Sequence, residues 1–301
     1  MQTKRLGRTE LQVSLLGAGL SEIGNQLTKA DIEQASQVLN AALDGGINFL
    51  DTAACYGISE ETIGATIAHR RDEFILATKA GHVAGGYEGE DWTAQTITDS
   101  IERSLKRMKT DHLDIVQLHS CSVEVLEQGD AMEALLAAQA AGKTRFVGYS
   151  GDNEAAAWAI ASGIFDTLQT SFNLVEQRAR TRLFEHAAAQ DMGIIIKRPI
   201  ANGAWGATAC PSNYASQYFE RAQAMDHMNP PAGAPTNRIL LALGFTLAHD
   251  DVDTIIVGTK NPAHMQANLD WIANELPIDP AVVAELHNRF ETLDSDWVQL
   301  T

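Results

Sequence analysis

Four side chains that can bind or release a proton stand at or near the ends of short apolar runs in this 301-residue sequence. Asp51 follows INFL, Tyr56 lies one short turn further on, Lys79 ends FILATK, and His119 ends DIVQLH. If these runs are parallel strands of a barrel, their carboxyl ends share one face, where active sites are built. We therefore predict that Asp51, Tyr56, Lys79 and His119 form one catalytic group.

The chemistry that suits this group is the reduction of a carbonyl, or the reverse oxidation of an alcohol. A tyrosine, with a reference pKa of about 10, is a weak acid at neutral pH, but an adjacent ammonium stabilises the phenolate and lowers that pKa. We expect Lys79 to do this for Tyr56, and Asp51 to hold Lys79. His119 would donate a hydrogen bond to the carbonyl oxygen while hydride arrives at carbon.

Each of these residues also has an ordinary structural interpretation. Asp51 could cap the turn after its strand, and Lys79 could extend from the rim into solvent. Tyr56 could pack its ring on the rim, and His119 could be a hydrogen-bonded core residue. A different barrel enzyme, such as an aldolase with a Schiff base on Lys79, is a further alternative. Their joint placement on one face favours the reductive interpretation.

The elements that would position these residues alternate regularly along the chain. Alternation of short strands with helices implies a parallel sheet, and no G-x-G-x-x-G motif follows the first strand, so an α/β fold of the (β/α)8 TIM barrel type is predicted. Helices are expected near 31–45, 58–70, 94–109, 123–142, 153–163, 179–191, 236–249 and 262–273. The predicted strands are VSLLGAG, INFL, FILATKA, LDIVQLHS, TRFVGYS, FDTLQTS, GIIIKRP and VDTIIVGT.

Additions to the barrel are predicted at its ends and on one face. KRLGRTELQV is expected to form a hairpin over the N-terminal end, and residues 277–290 an extra C-terminal helix. Loops at 80–93 and 201–235 would lie on the C-terminal face and shape the pocket. The whole of 1–301 is expected to be one domain.

Three blocks of the sequence resemble the aldo-keto reductase family: GINFLDTAACYGISEETIG, ATKAG and DIVQLHS. They match the segments that carry the family's catalytic Asp, Tyr, Lys and His, and the likeness runs from RLGRTELQVSLLGAG to IIVGTKNPAHMQANL. The resemblance implies a small-molecule carbonyl substrate and NADPH as the hydride donor, with NAD less favoured. It also implies that Ser150 and Gln169, at the ends of later strands, hold the nicotinamide.

Two positions depart from the family pattern. Gly151 stands where the family usually has Asn after the serine, so Asp152 or Asn153 would have to supply a contact to the carboxamide. Lys197 stands two positions before Pro199, where many relatives carry an aromatic residue that stacks on the nicotinamide. Its alkyl stem could cover the ring instead, and an ordinary charged rim residue is the alternative.

The segment at the end of the eighth predicted strand is suited to binding phosphate on physical grounds. Asn261 and Pro262 follow the eighth predicted strand as the cap and first residue of a helix, and helix N-termini attract phosphate. Gly258 permits close backbone approach, while Thr259 adds a hydroxyl and Lys260 a cation. A capped helix with a solvated lysine is the alternative. From the resemblance, His264 and Asn268 are further cofactor contacts, at the adenosine end.

The amino-acid composition limits the classes of binding partner that are expected. With 22 basic and 39 acidic residues, the net charge is −17, and no basic cluster suits nucleic acid or an anionic membrane. The sequence shows neither a signal peptide nor a transmembrane run, so a cytoplasmic protein is expected. Its three cysteines lack metal-ligand spacing, and no metal site is expected.

An NADPH-binding regulatory or interaction protein with little turnover is the alternative function, because a fold does not guarantee catalysis.

Overall fold

The computed structural model describes residues 1–293 and 297–300, and its centre is a closed barrel of eight parallel strands. The strand order around the barrel follows the chain, and the last strand closes it by pairing with the first. The predicted (β/α)8 barrel is confirmed. The strands are, for the N-terminal hairpin, β1 (Thr3–Arg5) and β2 (Gln12–Ser14), and, for the barrel, β3 (Leu16–Gly19), β4 (Phe49–Asp51), β5 (Ile75–Ala80), β6 (Leu113–His119), β7 (Thr144–Ser150), β8 (Thr167–Ser171), β9 (Gly193–Lys197) and β10 (Thr254–Gly258).

Helices surround the barrel, and their boundaries follow local sequence signals. The helix after β5, for example, begins where the Thr93 hydroxyl accepts a hydrogen bond from the backbone N–H of Thr96, and ends where Lys109 turns left-handed at φ 55°. The α-helices are α1 (Ser21–Gln26), α2 (Ile32–Asp44), α3 (Ser59–Thr66), α4 (Ala94–Met108), α5 (Val123–Gln128), α6 (Asp130–Ala140), α7 (Asn153–Ser162), α8 (Glu185–Ala189), α9 (Ser216–Ala224), α10 (Arg238–Leu247), α11 (Pro262–Asn274) and α12 (Pro280–Leu293).

Four details differ from the sequence-based expectations. The helix predicted over 123–142 is two helices, because Gly129 adopts φ 89° and breaks the hydrogen-bond pattern. The helix predicted over 179–191 begins with a wide π turn at Arg180–Phe184. Helix α1 was not predicted. The predicted loop at 201–235 contains α9, which buries Tyr218 and Ala222 against the barrel.

The hairpin closes the N-terminal end of the barrel, as predicted. β1 and β2 pair antiparallel, and the short turn between them fits closely because a methyl group added at Gly7 would lie 2.2 Å from the backbone nitrogen of Gly193. A separate cluster fills this end of the barrel, made of Leu6, Leu11, Val13, Phe49, Ala77, Ile115, Ile195 and Ile256. With this end plugged by apolar side chains, the C-terminal face is left for polar chemistry.

Phe49→Ala is expected to destabilise the protein strongly. The Phe49 side chain is fully buried inside the plug, and truncating a buried Phe leaves a cavity that costs about 3–5 kcal/mol. Urea unfolding followed by circular dichroism measures the change. Met228→Ala is the control, since Met228 is 54% exposed and should change stability by no more than about 0.5 kcal/mol. Equal effects of the two substitutions would contradict the plug.

Candidate active site

Lys79 and Asp51 form an ion pair at the mouth of the barrel. Lys79 lies in β5 and Asp51 ends the neighbouring β4, and the Lys79 Nζ is 2.6 Å from the Asp51 Oδ2. Both side chains are almost fully buried. The ammonium also donates to the Thr52 carbonyl oxygen at 3.0 Å. Burial lowers the pKa of Lys79, but the charges and hydrogen bonds of Asp51 and Tyr56 outweigh it and leave that pKa raised.

A tight turn after β4 brings Tyr56 over this pair. The Lys79 Nζ lies 5.0 Å from the centre of the Tyr56 ring. Helix α1 supports the turn at close range, because a methyl group added at Gly24 would lie 2.1 Å from the Tyr56 carbonyl oxygen. His119, at the end of β6, meets the Tyr56 ring edge-on with 5.6 Å between ring centres. The structure therefore brings all four predicted catalytic residues together.

The pKa of Tyr56 differs from the sequence-based expectation. Burial raises it above the ordinary value for tyrosine, and Lys79 lowers it again without reversing the shift. The expectation of a net lowered pKa was wrong because the loss of hydration raises the pKa of Tyr56 more than the Lys79 charge lowers it. At neutral pH Tyr56 is thus a protonated phenol with a cation beside it.

His119 is a neutral imidazole in this environment. Burial, followed by the positive charge of Lys79, lowers the pKa of His119 to about 2. The Cys55 Sγ lies 3.4 Å from the His119 Nδ1. Burial also raises the pKa of the Cys55 thiol, so the thiol keeps its proton at neutral pH. Among the three cysteines, Cys121 is buried, Cys55 is half-buried and Cys210 is exposed.

The predicted nicotinamide contacts are connected to the ion pair. The Ser150 hydroxyl donates to the Gln169 Oε1 at 3.1 Å, and the Gln169 Nε2 donates to the Asp51 Oδ1 at 2.7 Å. Gln117, which the sequence analysis missed, also donates to the Asp51 Oδ1, at 3.4 Å. Its own Oε1 is buried and has no partner among the described residues. Only the pairing of β6 with β5, which sets Gln117 beside Lys79, reveals this residue.

Asp152 and Asn153 are not free to replace the family's asparagine. The Asp152 carboxylate accepts from the Lys197 Nζ at 2.9 Å, from the Thr170 hydroxyl at 2.8 Å, and from the Gln299 Nε2 at 2.9 Å. The Asn153 Nδ2 donates to the Gln299 carbonyl oxygen at 2.9 Å. Lys197 is therefore held by an ion pair beside the site.

The C-terminal tail is part of this face. The Leu300 backbone nitrogen donates to the Glu176 Oε2 at 2.8 Å, and the Arg198 guanidinium donates to the Leu300 carbonyl oxygen at 2.8 Å. Gln299 is 4% exposed. Burial raises the pKa of Glu176 to about 7. Residues 297–300 thus lie over the ends of β7, β8 and β9, with Gln299 buried and Val298 exposed.

The block predicted to bind phosphate has the expected helix start. The Asn261 Oδ1 accepts from the Ala263 backbone nitrogen at 2.9 Å, and Pro262 is the first residue of α11. Lys260 is exposed beside it, while Thr259 is buried and its hydroxyl accepts from the Asn261 backbone nitrogen at 3.1 Å. His264 is exposed and Asn268 buried, both in α11, and Gly258 ends β10.

Glu22 of α1 lies against this block, and no sequence pattern indicated it. A methyl group added at Gly258 would be 3.7 Å from the Glu22 Cγ. Burial raises the pKa of Glu22, and Lys260 and His264 partly offset that shift. A carboxylate is therefore the neighbour of the predicted phosphate-binding cations.

The described residues, 1–293 and 297–300, contain no cluster of three or more His, Cys, Asp or Glu that could hold a metal ion. Within the same part of the chain, no helix has the length and apolar character needed to cross a membrane.

Comparison with known proteins agrees with this geometry. The model of the Aldo/keto reductase family matches residues 15–288, which is most of the chain. The chain belongs to the aldo/keto reductase family. As a member of this family, it is an oxidoreductase that interconverts carbonyls and alcohols of small molecules, and the family uses nicotinamide cofactors.

Individual relatives are distant but cover nearly the whole chain. L-galactose dehydrogenase of Arabidopsis thaliana is 27% identical, covering 97% of this chain and 95% of the relative. D-threo-aldose 1-dehydrogenase of a Pseudomonas species is also 27% identical, with 89% and 92% covered. The structure of an aldo-keto reductase from Bacillus halodurans in its holo form superposes with a TM-score of 0.80 at 25% identity, covering 96% of each chain.

His119 is expected to make this reductase less stable in acid. An unfolded histidine has a pKa of about 6.5, whereas the folded value is about 2, so between these pH values only the unfolded state binds the proton. The free energy of unfolding therefore falls as pH drops below about 6.5. Between pH 7 and pH 4.5, we expect the free energy of unfolding of His119→Gln to fall by about 2–3 kcal/mol less than that of the wild type.

Urea unfolding at the two pH values measures this difference. His69→Gln, at an exposed position, is the control and should follow the wild type. If the free energy of unfolding fell by the same amount in His119→Gln and in the wild type between these pH values, the His119 imidazole would not be buried in its neutral form.

Proposed function

We propose that this protein is an NADP(H)-dependent reductase of aldehydes or ketones, or a dehydrogenase of the corresponding alcohols, with Tyr56 as its general acid and base. The observation that carries the proposal is the buried Lys79–Asp51 ion pair beneath the Tyr56 ring. When bound, the nicotinamide supplies or accepts the hydride. The same geometry favours Tyr56 chemistry over a Schiff base on Lys79, because an ammonium paired with a buried carboxylate stays protonated and is a poor nucleophile.

Tyr56 holds the proton that the carbonyl oxygen needs. In reduction the C=O π bond breaks as hydride adds to carbon, and the oxygen takes the phenolic proton from Tyr56. The tyrosinate left behind lies beside the Lys79 ammonium, which stabilises it. In the oxidative direction the tyrosinate removes the hydroxyl proton. Asp51 keeps Lys79 charged and in place throughout.

His119 orients the carbonyl. A Cys55 thiol that retains its proton can donate to the His119 Nδ1, and the neutral ring then carries its own proton on Nε2. That N–H can donate to the carbonyl oxygen without adding a second full positive charge beside Lys79. The pair thus assists Tyr56 in fixing the oxygen that receives the proton.

The residues at the mouth fit a dinucleotide. After β9 the backbone is left-handed at Arg198, Ala201, Asn202 and Gly203, and the turn is closed by its own hydrogen bonds, because the Gly203 backbone nitrogen donates to the Ile200 carbonyl oxygen at 2.8 Å. The Asn202 Nδ2 is buried without a partner in the described part of the chain. The start of α11, with Lys260 exposed beside it, is a place for phosphate.

The predicted cofactor residues are assigned here to different parts of the dinucleotide. We propose that Ser150 and Gln169 bind the carboxamide, and that the stem of Lys197 covers the ring. Gly258, Thr259 and Lys260 would hold phosphate, with His264 and Asn268 at the adenosine end. A cation at the helix start favours the extra phosphate of NADP over NAD.

Tyr56→Phe is expected to abolish turnover while leaving cofactor binding intact. The substitution removes only the phenolic hydroxyl, and losing a general acid typically costs about 10²–10⁴-fold in rate. NADPH oxidation should be followed over a panel of aldehydes, ketones and sugars, since two relatives are named for sugars. Quenching of protein fluorescence by NADPH gives the binding constant in parallel. Equal turnover by both proteins would exclude Tyr56 as the acid, and binding without turnover in either would favour the regulatory alternative.

Glu22→Gln is expected to strengthen NADPH binding by about fivefold and to leave NADH binding nearly unchanged. Removing the carboxylate removes its repulsion of a phosphate at Lys260 and His264. Fluorescence titration with each nucleotide measures both constants without catalysis. Glu127→Gln, on exposed surface of α5, is the matched control. Unchanged NADPH affinity in Glu22→Gln would place the extra phosphate elsewhere.

A further inference from the structure

A second histidine lies beside His119 at the mouth of the barrel. The loop after β5 carries His82, whose ring meets that of His119 edge-on with 5.2 Å between ring centres. This is as close as the 5.6 Å that separates the rings of Tyr56 and His119. His82 is 39% exposed in its side chain, so it can be reached from the mouth. Nothing in the proton transfer described above uses this residue.

The loop holds His82 in a fixed orientation. Its Nδ1 is 3.0 Å from the Asp91 Oδ2, and the Asp91 Oδ1 accepts from the Val83 backbone nitrogen at 2.7 Å. The Trp92 ring packs edge-on against the imidazole with 4.7 Å between ring centres. Gly81 makes this packing possible, because a methyl group added there would lie 1.8 Å from the Trp92 ring. Contacts on two sides fix the ring.

This arrangement determines which ring atom is free to bind a ligand. A carboxylate only accepts hydrogen bonds, so the Nδ1 that faces Asp91 carries the ring proton. The Nε2 is then the ring nitrogen left for a ligand, and it has no partner within residues 1–293 and 297–300. A hydroxyl group of a substrate can both donate and accept, so it matches this nitrogen.

The local charges favour a neutral substrate over an anionic one. The two lysines nearest to His119 are each neutralised, Lys79 by Asp51 and Lys197 by Asp152. Asp91 adds a negative charge next to His82, and the whole chain carries −17. A carboxylate or phosphate on the substrate would be repelled by Asp91.

We propose that His82, oriented by Asp91, determines specificity through a hydrogen bond between its Nε2 and a hydroxyl on a carbon close to the carbonyl. The substrate class is then the neutral hydroxylated aldehydes and ketones. This inference rests on the proposed reductase function, because a carbonyl oxygen held by Tyr56 and His119 is what brings the neighbouring carbons of the substrate toward His82.

The test compares two three-carbon aldehydes that differ in hydroxylation, glyceraldehyde and propanal. The wild type is expected to prefer glyceraldehyde in kcat/KM, and His82→Leu to reduce that preference about tenfold, the value of one hydrogen bond to a substrate hydroxyl. His82→Gln keeps a side-chain acceptor and should restore part of the preference. Because each ratio is compared between enzymes, hydration of the free aldehydes cancels.

Two further variants separate recognition from general damage. His112→Leu is the matched control: His112 is 2.7 Å from Asp111 and similarly exposed, but it precedes β6 at the opposite end of the barrel, and the substitution should leave the ratio unchanged. Asp91→Asn removes the charge that orients His82 and should lower the preference for glyceraldehyde. Thermal unfolding of each variant verifies that the loop change has not altered the fold.

The outcomes are distinct. An unchanged ratio in His82→Leu, or an equal loss on both aldehydes, overturns the inference, because a structural role would affect both substrates alike. A His82-dependent preference for glyoxylate over glyceraldehyde also overturns it, in favour of an anionic substrate. Turnover of propanal by the wild type without a preference for glyceraldehyde overturns this inference alone, whereas absence of turnover of every carbonyl tested removes the reductase proposal itself.

Discussion

The ion pair between Lys79 and Asp51 is the interaction on which the rest of the site depends. Burying two charges costs more than their attraction returns unless their remaining hydrogen-bonding groups are satisfied. Here Thr52 takes a second proton of the ammonium, and Gln169 and Gln117 donate to the other carboxylate oxygen. The ends of five consecutive barrel strands, β4 to β8, supply this network, either directly or through Ser150.

The rest of the barrel offsets the free-energy cost of burying this polar network. Its N-terminal end is filled by an apolar plug and a hairpin, so the fold is stabilised away from the chemistry. The C-terminal end can then hold polar groups whose burial is unfavourable for folding. The raised pKa of Tyr56 and the lowered pKa of His119 are both consequences of burial at this end, and each keeps its residue in the neutral form.

Charged side chains on the C-terminal face of the barrel have partners of opposite charge close by, so they do not form an extended positive patch. Lys197 is held by Asp152, Lys260 has Glu22 nearby, and the tail is tied to Glu176 and Arg198. For a chain of net charge −17, this pairing leaves the start of α11, where the helix dipole favours negative charge and Lys260 is exposed, as one place that suits an anionic ligand.

The sequence by itself determined the barrel and the joint placement of Asp51, Tyr56, Lys79 and His119. Strand and helix periodicities are local properties, and the carboxyl ends of parallel strands must meet on one face whatever the details of packing. Helix boundaries were less predictable where one glycine decides them, as at Gly129, or where an apolar face inside a long loop finds a partner, as in α9.

Only the tertiary structure decided the environment of each side chain. The sign of the Tyr56 pKa shift depends on how deeply the turn after β4 is buried, and no spacing of residues encodes that depth. Gln117, Glu22, His82 and the C-terminal tail reach the site through strand register or loop folding, with separations along the chain that carry no periodic signal. Spacing fixes which face a residue lies on, whereas burial and through-space contacts fix its charge state and partners.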